Sequence, residues 1–228
     1  ELLVPVLAHL RTFDIGGDKP IPYLPMPAES NPFLGFRGIR VYEKFSGLFR
    51  VQLRAILRAA ADGPLKMMFP MVGTVDEMIA AKAHLDAVRE ELEREGVPHR
   101  GDVETGMMVE VPSAALLVDR FADLADFFSV GSNDLLQYVL AADRGNPAVR
   151  ALHEPLHPAF LRLLKTAVDA AHGRGKWIGL CGELAASARA LPLLVGLGFD
   201  ELSMSASAVP EAKARLRSLD SASCRALL

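Results

Sequence analysis

The stretch DFFSVGSNDLLQY, Asp126–Tyr138, holds two patterns back to back. Its first half is a short apolar run closed by a glycine, which reads as a buried strand. Ser-Asn-Asp then reads as a helix start, because these side chains accept hydrogen bonds from the free N–H groups of a first helical turn. A strand apolar on both faces that passes straight into a helix is the building unit of a parallel sheet.

The same unit recurs along the chain. PVLAHLRTFD (Pro5–Asp14) is strand-like and leads into a Gly-rich loop. Val41 to Ala61 is predicted helical, with Phe45, Leu48, Phe49, Leu53, Ile56 and Leu57 on one apolar face. LKMMFPMV (Leu65–Val72) is the next strand, and Thr74 with Glu77 forms a T-x-x-E capping box opening a helix to about Glu95. ETGMMVEV (Glu104–Val111) follows, with Pro112-Ser113 opening another helix. Pro158 to Ala171 is predicted helical and ended by Gly173 and Gly175. KWIGLCG (Lys176–Gly182) and FDELSMSA (Phe199–Ala206) are two further strands, before a last helix from Pro210 toward Arg217.

About six βα units in series fit a doubly wound open sheet or a (β/α)8 barrel. No G-x-G-x-x-G follows a strand, which disfavours the dinucleotide-binding version. The expectation is an α/β chain: a (β/α)8 TIM-type barrel over residues 1–228, short of about two βα units at its N-terminus.

Composition excludes several classes. A net charge of −3 without a Lys/Arg block speaks against nucleic acid as partner. The most apolar tracts, such as ALPLLVGLGF (Ala190–Phe199), are too short to insert in a membrane. Two cysteines, Cys181 and Cys224, make no disulfide framework, and no secretory leader pattern is present. A cytoplasmic protein with reduced thiols is expected.

In either fold the chemistry gathers beyond the carboxyl ends of the strands. Those positions carry Arg11 and Asp14, Arg37 in the following loop, Glu110, Asn133 and Asp134, Arg144 downstream, Cys181 and Glu183, and Ser203 and Ser205. Arginines bind phosphate and carboxylate through a planar fork. Carboxylates that leave room for water suit Mg²⁺, usually shared with substrate phosphate. The set fits a small phosphorylated carboxylate plus Mg²⁺. Each residue also has a structural reading. Asp134 would serve as an N-cap, Glu110 as an arginine's partner, Cys181 as a buried thiol, and Arg11 and Arg37 as loop braces.

RTFDIGGDK, NPFLGFRGIR, GMMVEVPSAA, FFSVGSNDLLQYVLAADRGN, GLCGELA and GFDELSMSA together resemble the phosphoenolpyruvate-binding barrel of Enzyme I, the phosphoenolpyruvate–protein phosphotransferase of the bacterial sugar phosphotransferase system. The resemblance runs from about Pro5 to Arg217 and extends to the same domain of multidomain phosphoryl-transfer fusions. It implies that Arg11 and Arg37 bind the substrate phosphate and that Asn133 and Arg144 hold phosphoenolpyruvate. It implies that Glu110 and Asp134 ligate Mg²⁺, with Asp134 also at the substrate, and that Cys181 is the general acid. A thiol mostly protonated at neutral pH can give a proton to C3 of the pyruvate enolate. The implied partners are phosphoenolpyruvate and pyruvate, a histidine-containing phosphocarrier protein reached through another domain, and a second copy in a homodimer.

Departures accompany the resemblance. The family's G-L-Y-R-T-E motif is absent, Ala186-Ser187 stands where Gly-Asp is common, and Leu136 where Thr is common. None of the six histidines has the S-H-x-A-I context of the family's phosphoacceptor, and His172 reads as a helix-end histidine. Competing readings are a pyruvate phosphate dikinase or phosphoenolpyruvate synthase barrel, a Mg²⁺-dependent pyruvate-enolate aldolase or lyase, and a chain that binds without turning over.

Overall fold

A computed structural model describes residues 7–17, 19, 21–22 and 24–228. Pro5 and Val6, the start of the first predicted strand, lie outside the described residues. The chain divides into two compact units, Glu1–Met108 with Leu124–Asp126, and Val109–Asp123 with Phe127–Leu228.

The first unit has strands β1 (Ala8–Arg11), β2 (Leu65–Phe69) and β3 (Glu104–Val109, whose last residue falls in the second unit). They pair in parallel and in chain order, with Arg11 opposite Met68 and Phe69 opposite Met107. Helix α1 (Ser46–Ala59) connects the first two strands and α2 (Val75–Arg94) the next two. Phe49, Leu53, Ile56 and Leu57 of α1 are buried as the helical spacing predicts. Leu48 departs from that face and is 40% exposed. The helix also begins later than predicted, because Gly38–Val41 forms a 3₁₀ turn that anchors Tyr42 in the core. Tyr42 stacks on Phe49 at 3.9 Å, and its hydroxyl donates to the Phe13 carbonyl at 3.0 Å. Gln52 Oε1 accepts from Phe13 N at 2.9 Å. These contacts fix the chain just beyond the end of β1. The capping box is formed: Thr74 Oγ1 accepts from Glu77 N, and Glu77 Oε2 accepts from Thr74 N.

The second unit has β4 (Phe127–Gly131), β5 (Trp177–Cys181) and β6 (Glu201–Ser203), also parallel and in chain order. Register puts Gly131 opposite Cys181, and Cys181 opposite Ser203. Pro112-Ser113 opens only a short helix, α3 (Pro112–Leu116), which breaks at Leu117 before α4 (Val118–Phe121). Helix α5 (Ser132–Leu140) follows β4 directly, and α6 (Pro158–Gly173) precedes β5. Trp177 stacks face to face on Phe127, with ring centroids 4.6 Å apart. His172 sits in the last turn of α6, where Nε2 lies 2.9 Å from Asp200 Oδ2. Three helices complete the unit: α7 (Leu191–Leu197), α8 (Val209–Leu216) and α9 (Ser221–Arg225). The first and last of these were not predicted. Their signals were a proline near the start and a glycine past the end of α7, and Asp220 at the N-cap of α9.

Candidate active site

In the first unit, Arg11, Asp14 and Arg37 come together. Arg37 Nη2 lies 3.0 Å from Asp14 Oδ2, and both side chains are wholly buried. The same oxygen lies 3.5 Å from Arg11 Nη1 and 2.8 Å from Lys19 Nζ. Burial pushes the Asp14 carboxyl up; the Lys19 hydrogen bond and the Arg37 charge outweigh it and hold the group below its ordinary value. The sequence gives no signal for Lys19 of RTFDIGGDK, whose side chain completes the cluster. Gly16 makes this packing feasible: at φ +94° a β-carbon would stand 2.4 Å from the Phe36 carbonyl oxygen, just before Arg37.

In the second unit, the passage from β4 to α5 places Asn133 and Asp134 in the first helical turn. Gly131 takes the N-cap position, so Asp134 is not the cap. Its carboxylate is buried and meets Arg144 Nη1 at 3.5 Å. Gln137 Oε1 accepts from Arg144 N at 3.0 Å and ties the loop to the helix. Glu110 follows β3 and is buried. Cys181 ends β5 and is half-buried, whereas Cys224 is buried, so a purely structural thiol describes Cys224 better. Ser132 Oγ donates to the Cys181 carbonyl at 2.7 Å. Gly182, at φ +112°, allows this approach, since a β-carbon there would stand 2.5 Å from Ser132 Oγ. Asn133, Arg144 and Glu183 line a cavity of about 550 Å³ together with Ser132, Arg150 and His153. The last three were not singled out from sequence. Ser203 ends β6, and Ser205 lies 3.4 Å from Ser207 through their hydroxyls.

Among the described residues no three His, Cys, Asp or Glu side chains form a metal cage. The two buried carboxylates Glu110 and Asp134 are hard oxygen donors of the kind Mg²⁺ takes when substrate and water supply its remaining ligands. The donor chemistry therefore fits this ion. No helix among the described residues is long and apolar enough to cross a membrane.

Parallel strands alternating with helices define an α/β protein of the barrel type. A citrate lyase from Burkholderia xenovorans LB400 shares the fold, with a TM-score of 0.56 at 21% identity over 75% of this chain and 55% of that one. Residues 3–221 match the PEP-utilising enzyme, PEP-binding domain, and the chain belongs to that family. A multiphosphoryl transfer protein of Escherichia coli O6:H1 is 55% identical over 217 residues, 95% of this chain and 26% of that protein. A phosphoenolpyruvate-protein phosphotransferase of Priestia megaterium is 54% identical over 213 residues, 93% of this chain and 37% of that protein. This chain thus spans only 26% and 37% of the length of these two relatives.

Proposed function

We propose that this chain is the phosphoenolpyruvate-binding part of a phosphotransferase that releases pyruvate. The phosphoryl group would pass to a histidine on another domain of the whole protein, then to a histidine-containing phosphocarrier protein. The observation that carries the reading is the cluster on Asp14, where three cations face one carboxylate. Cations gathered at a strand end suit a phosphate dianion.

Arg11 and Arg37 hold the phosphate. Asn133, Asp134 and Arg144 hold the substrate in place, and Glu110 and Asp134 ligate Mg²⁺. The ion, when bound, neutralises charge on phosphate and enolate oxygens. In the transfer, the bond from phosphorus to the bridging oxygen breaks and one from phosphorus to the imidazole nitrogen forms. The electron pair left on oxygen gives an enolate, whose C3 takes the proton of the Cys181 thiol. Solvent then returns a proton to the thiolate. A cytoplasmic homodimer is the working form that the resemblance implies.

Titration calorimetry with phosphoenolpyruvate, with and without Mg²⁺, tests this. Saturable binding that needs the ion and fails in Glu110→Gln is expected. A folded protein that binds no phosphoenolpyruvate would overturn the reading.

A further inference from the structure

Asp62-Gly63 is the only Asp-Gly pair of the chain, and no Asn-Gly occurs. It lies in the bend that leads from α1 to β2, and Asp62 is exposed. The bend is held on one side only. Asp62 N donates to the Ala59 carbonyl at 3.1 Å, while Gly63 N and the Asp62 carboxylate have no hydrogen-bond or ion-pair partner among the described residues. The fold does not require the glycine: a β-carbon on Gly63 would meet nothing within 4 Å.

A free amide nitrogen can attack the free carboxyl of the residue before it and close a five-membered imide. A glycine nitrogen is the best placed to do so, because no side chain hinders it and its backbone rotates freely. An exposed turn of small and polar residues also leaves the chain room to move into the ring geometry. Asp220-Ser221, the one Asp-Ser pair, is the contrast. Asp220 caps α9, and its Oδ2 accepts from Ser223 N at 2.7 Å. That backbone N–H holds the Asp220 carboxyl below its ordinary value. A carboxylate so engaged keeps its charge and offers no hydroxyl to leave.

We propose that Asp62 is a site of spontaneous isoaspartate formation in the folded protein. Gly63 N bonds to Asp62 Cγ, the bond from Cγ to the carboxyl hydroxyl breaks, and the hydroxyl leaves as water with the amide proton. Water then opens the imide. Attack at Cγ restores aspartate. Attack at the main-chain carbonyl carbon leaves the chain running through Cβ and Cγ, one carbon longer, with a free α-carboxylate. The residue after Gly63 is Pro64, whose carbonyl accepts from Ala8 N at 3.0 Å. The lengthening therefore falls on the first rung between β1 and β2, at the end of β1 away from Arg11. The product is a substrate for an enzyme that methylates isoaspartyl carboxylates.

The test ages the full-length protein for weeks at neutral pH in H₂¹⁸O, with and without urea, and then digests it with trypsin in ordinary water. In the native sample the peptide of residues 59–66 takes up heavy oxygen and accepts methyl groups from an isoaspartyl methyltransferase, and the peptide of residues 218–225 does neither. Urea, which removes the cap on α9, lets the second peptide take up label too. Asp62→Glu, which would need a six-membered ring, brings the label in the first peptide to background. Gly63→Ala, which the open space around Gly63 accommodates, lowers it severalfold. Label in the first peptide only after urea would overturn the proposal, since the fold would then protect the bend. Equal label in both peptides of the native protein would overturn it as well, since the free carboxyl and amide of the bend would then make no difference.

Discussion

Arg37 and Asp14 form an ion pair with both side chains wholly buried, Nη2 to Oδ2 3.0 Å. Removing Arg37 leaves the buried Asp14 carboxylate with only the part-exposed Lys19 and Arg11 as counter-charges and opens a cavity where the guanidinium stood. Arg37→Met is expected to cost about 3–5 kcal/mol of folding stability. Lys19→Met touches the same carboxylate from a side chain 42% exposed, and is expected to cost under about 1 kcal/mol. Urea unfolding of both variants measures the contrast. Equal losses would mean that Arg37 does not depend on Asp14 as the geometry requires.

The same carboxylate sets an acid limit. Its ionised form is favoured by folding, since the Lys19 and Arg37 contacts outweigh the burial that would raise it. A folded value below the unfolded one stabilises fully above the unfolded value of about 3.9, and the gain disappears as pH falls through the folded value. Stability should therefore drop as pH falls below about 4. Asp14→Asn should start lower at neutral pH and vary less across that window. A variant curve parallel to the wild type would show that Asp14 does not carry the effect.

What could be read from sequence follows the range of the interaction behind it. β1 and β5 lie in apolar runs of the sequence, and the placement of Arg11 and Cys181 at strand ends follows from those runs alone. The first turn of α5 was harder, because Ser-Asn-Asp offers several equivalent caps. The chain uses Gly131, and Asp134 meets Arg144, ten residues on. Leu48 and Phe49 both fit the spacing of the α1 stripe, but tertiary packing buries Phe49 and leaves Leu48 40% exposed. Lys19 was illegible since its role depends on a glycine turn folding it back on Asp14.

Thr74 gives a local test of the part that was legible. Its hydroxyl and the Glu77 carboxylate satisfy N–H groups at the start of α2 reciprocally, with Glu77 also accepting from Gly73 N at 2.7 Å. Thr74→Ala should cost about 1 kcal/mol. Thr74→Ala with Glu77→Ala should cost less than the two singles added, as the pair acts together. Thermal unfolding of the cycle decides it; strict additivity would deny the coupling.

Gly182 joins β5 to the first turn of α5. An alanine there meets Ser132 Oγ at 2.5 Å and has to hold φ near +112°. Gly182→Ala should lose about 1–3 kcal/mol through backbone strain. Ser132→Ala added to it removes the clash but not the strain, so only part of the loss should return. Full recovery would place the whole cost in the side-chain contact.

Cys181 is half-buried at the end of β5, with its carbonyl held by Ser132, while Cys224 is buried away in α9. If the Cys181 thiol is the proton donor to the enolate, Cys181→Ala should lower kcat about 10²- to 10⁴-fold, the usual contribution of a placed general acid. Binding of phosphoenolpyruvate should change little, because the phosphate is held by other residues. Cys224→Ala should leave kcat unchanged. Turnover in D₂O of phosphoenolpyruvate carrying tritium at one C3 position adds a readout that misfolding does not produce: the wild type, labelled on one face, should give pyruvate with a chiral methyl group of one configuration, and Cys181→Ala, labelled on both, a racemic one. Undiminished kcat with single-face labelling in Cys181→Ala would assign the proton to another group.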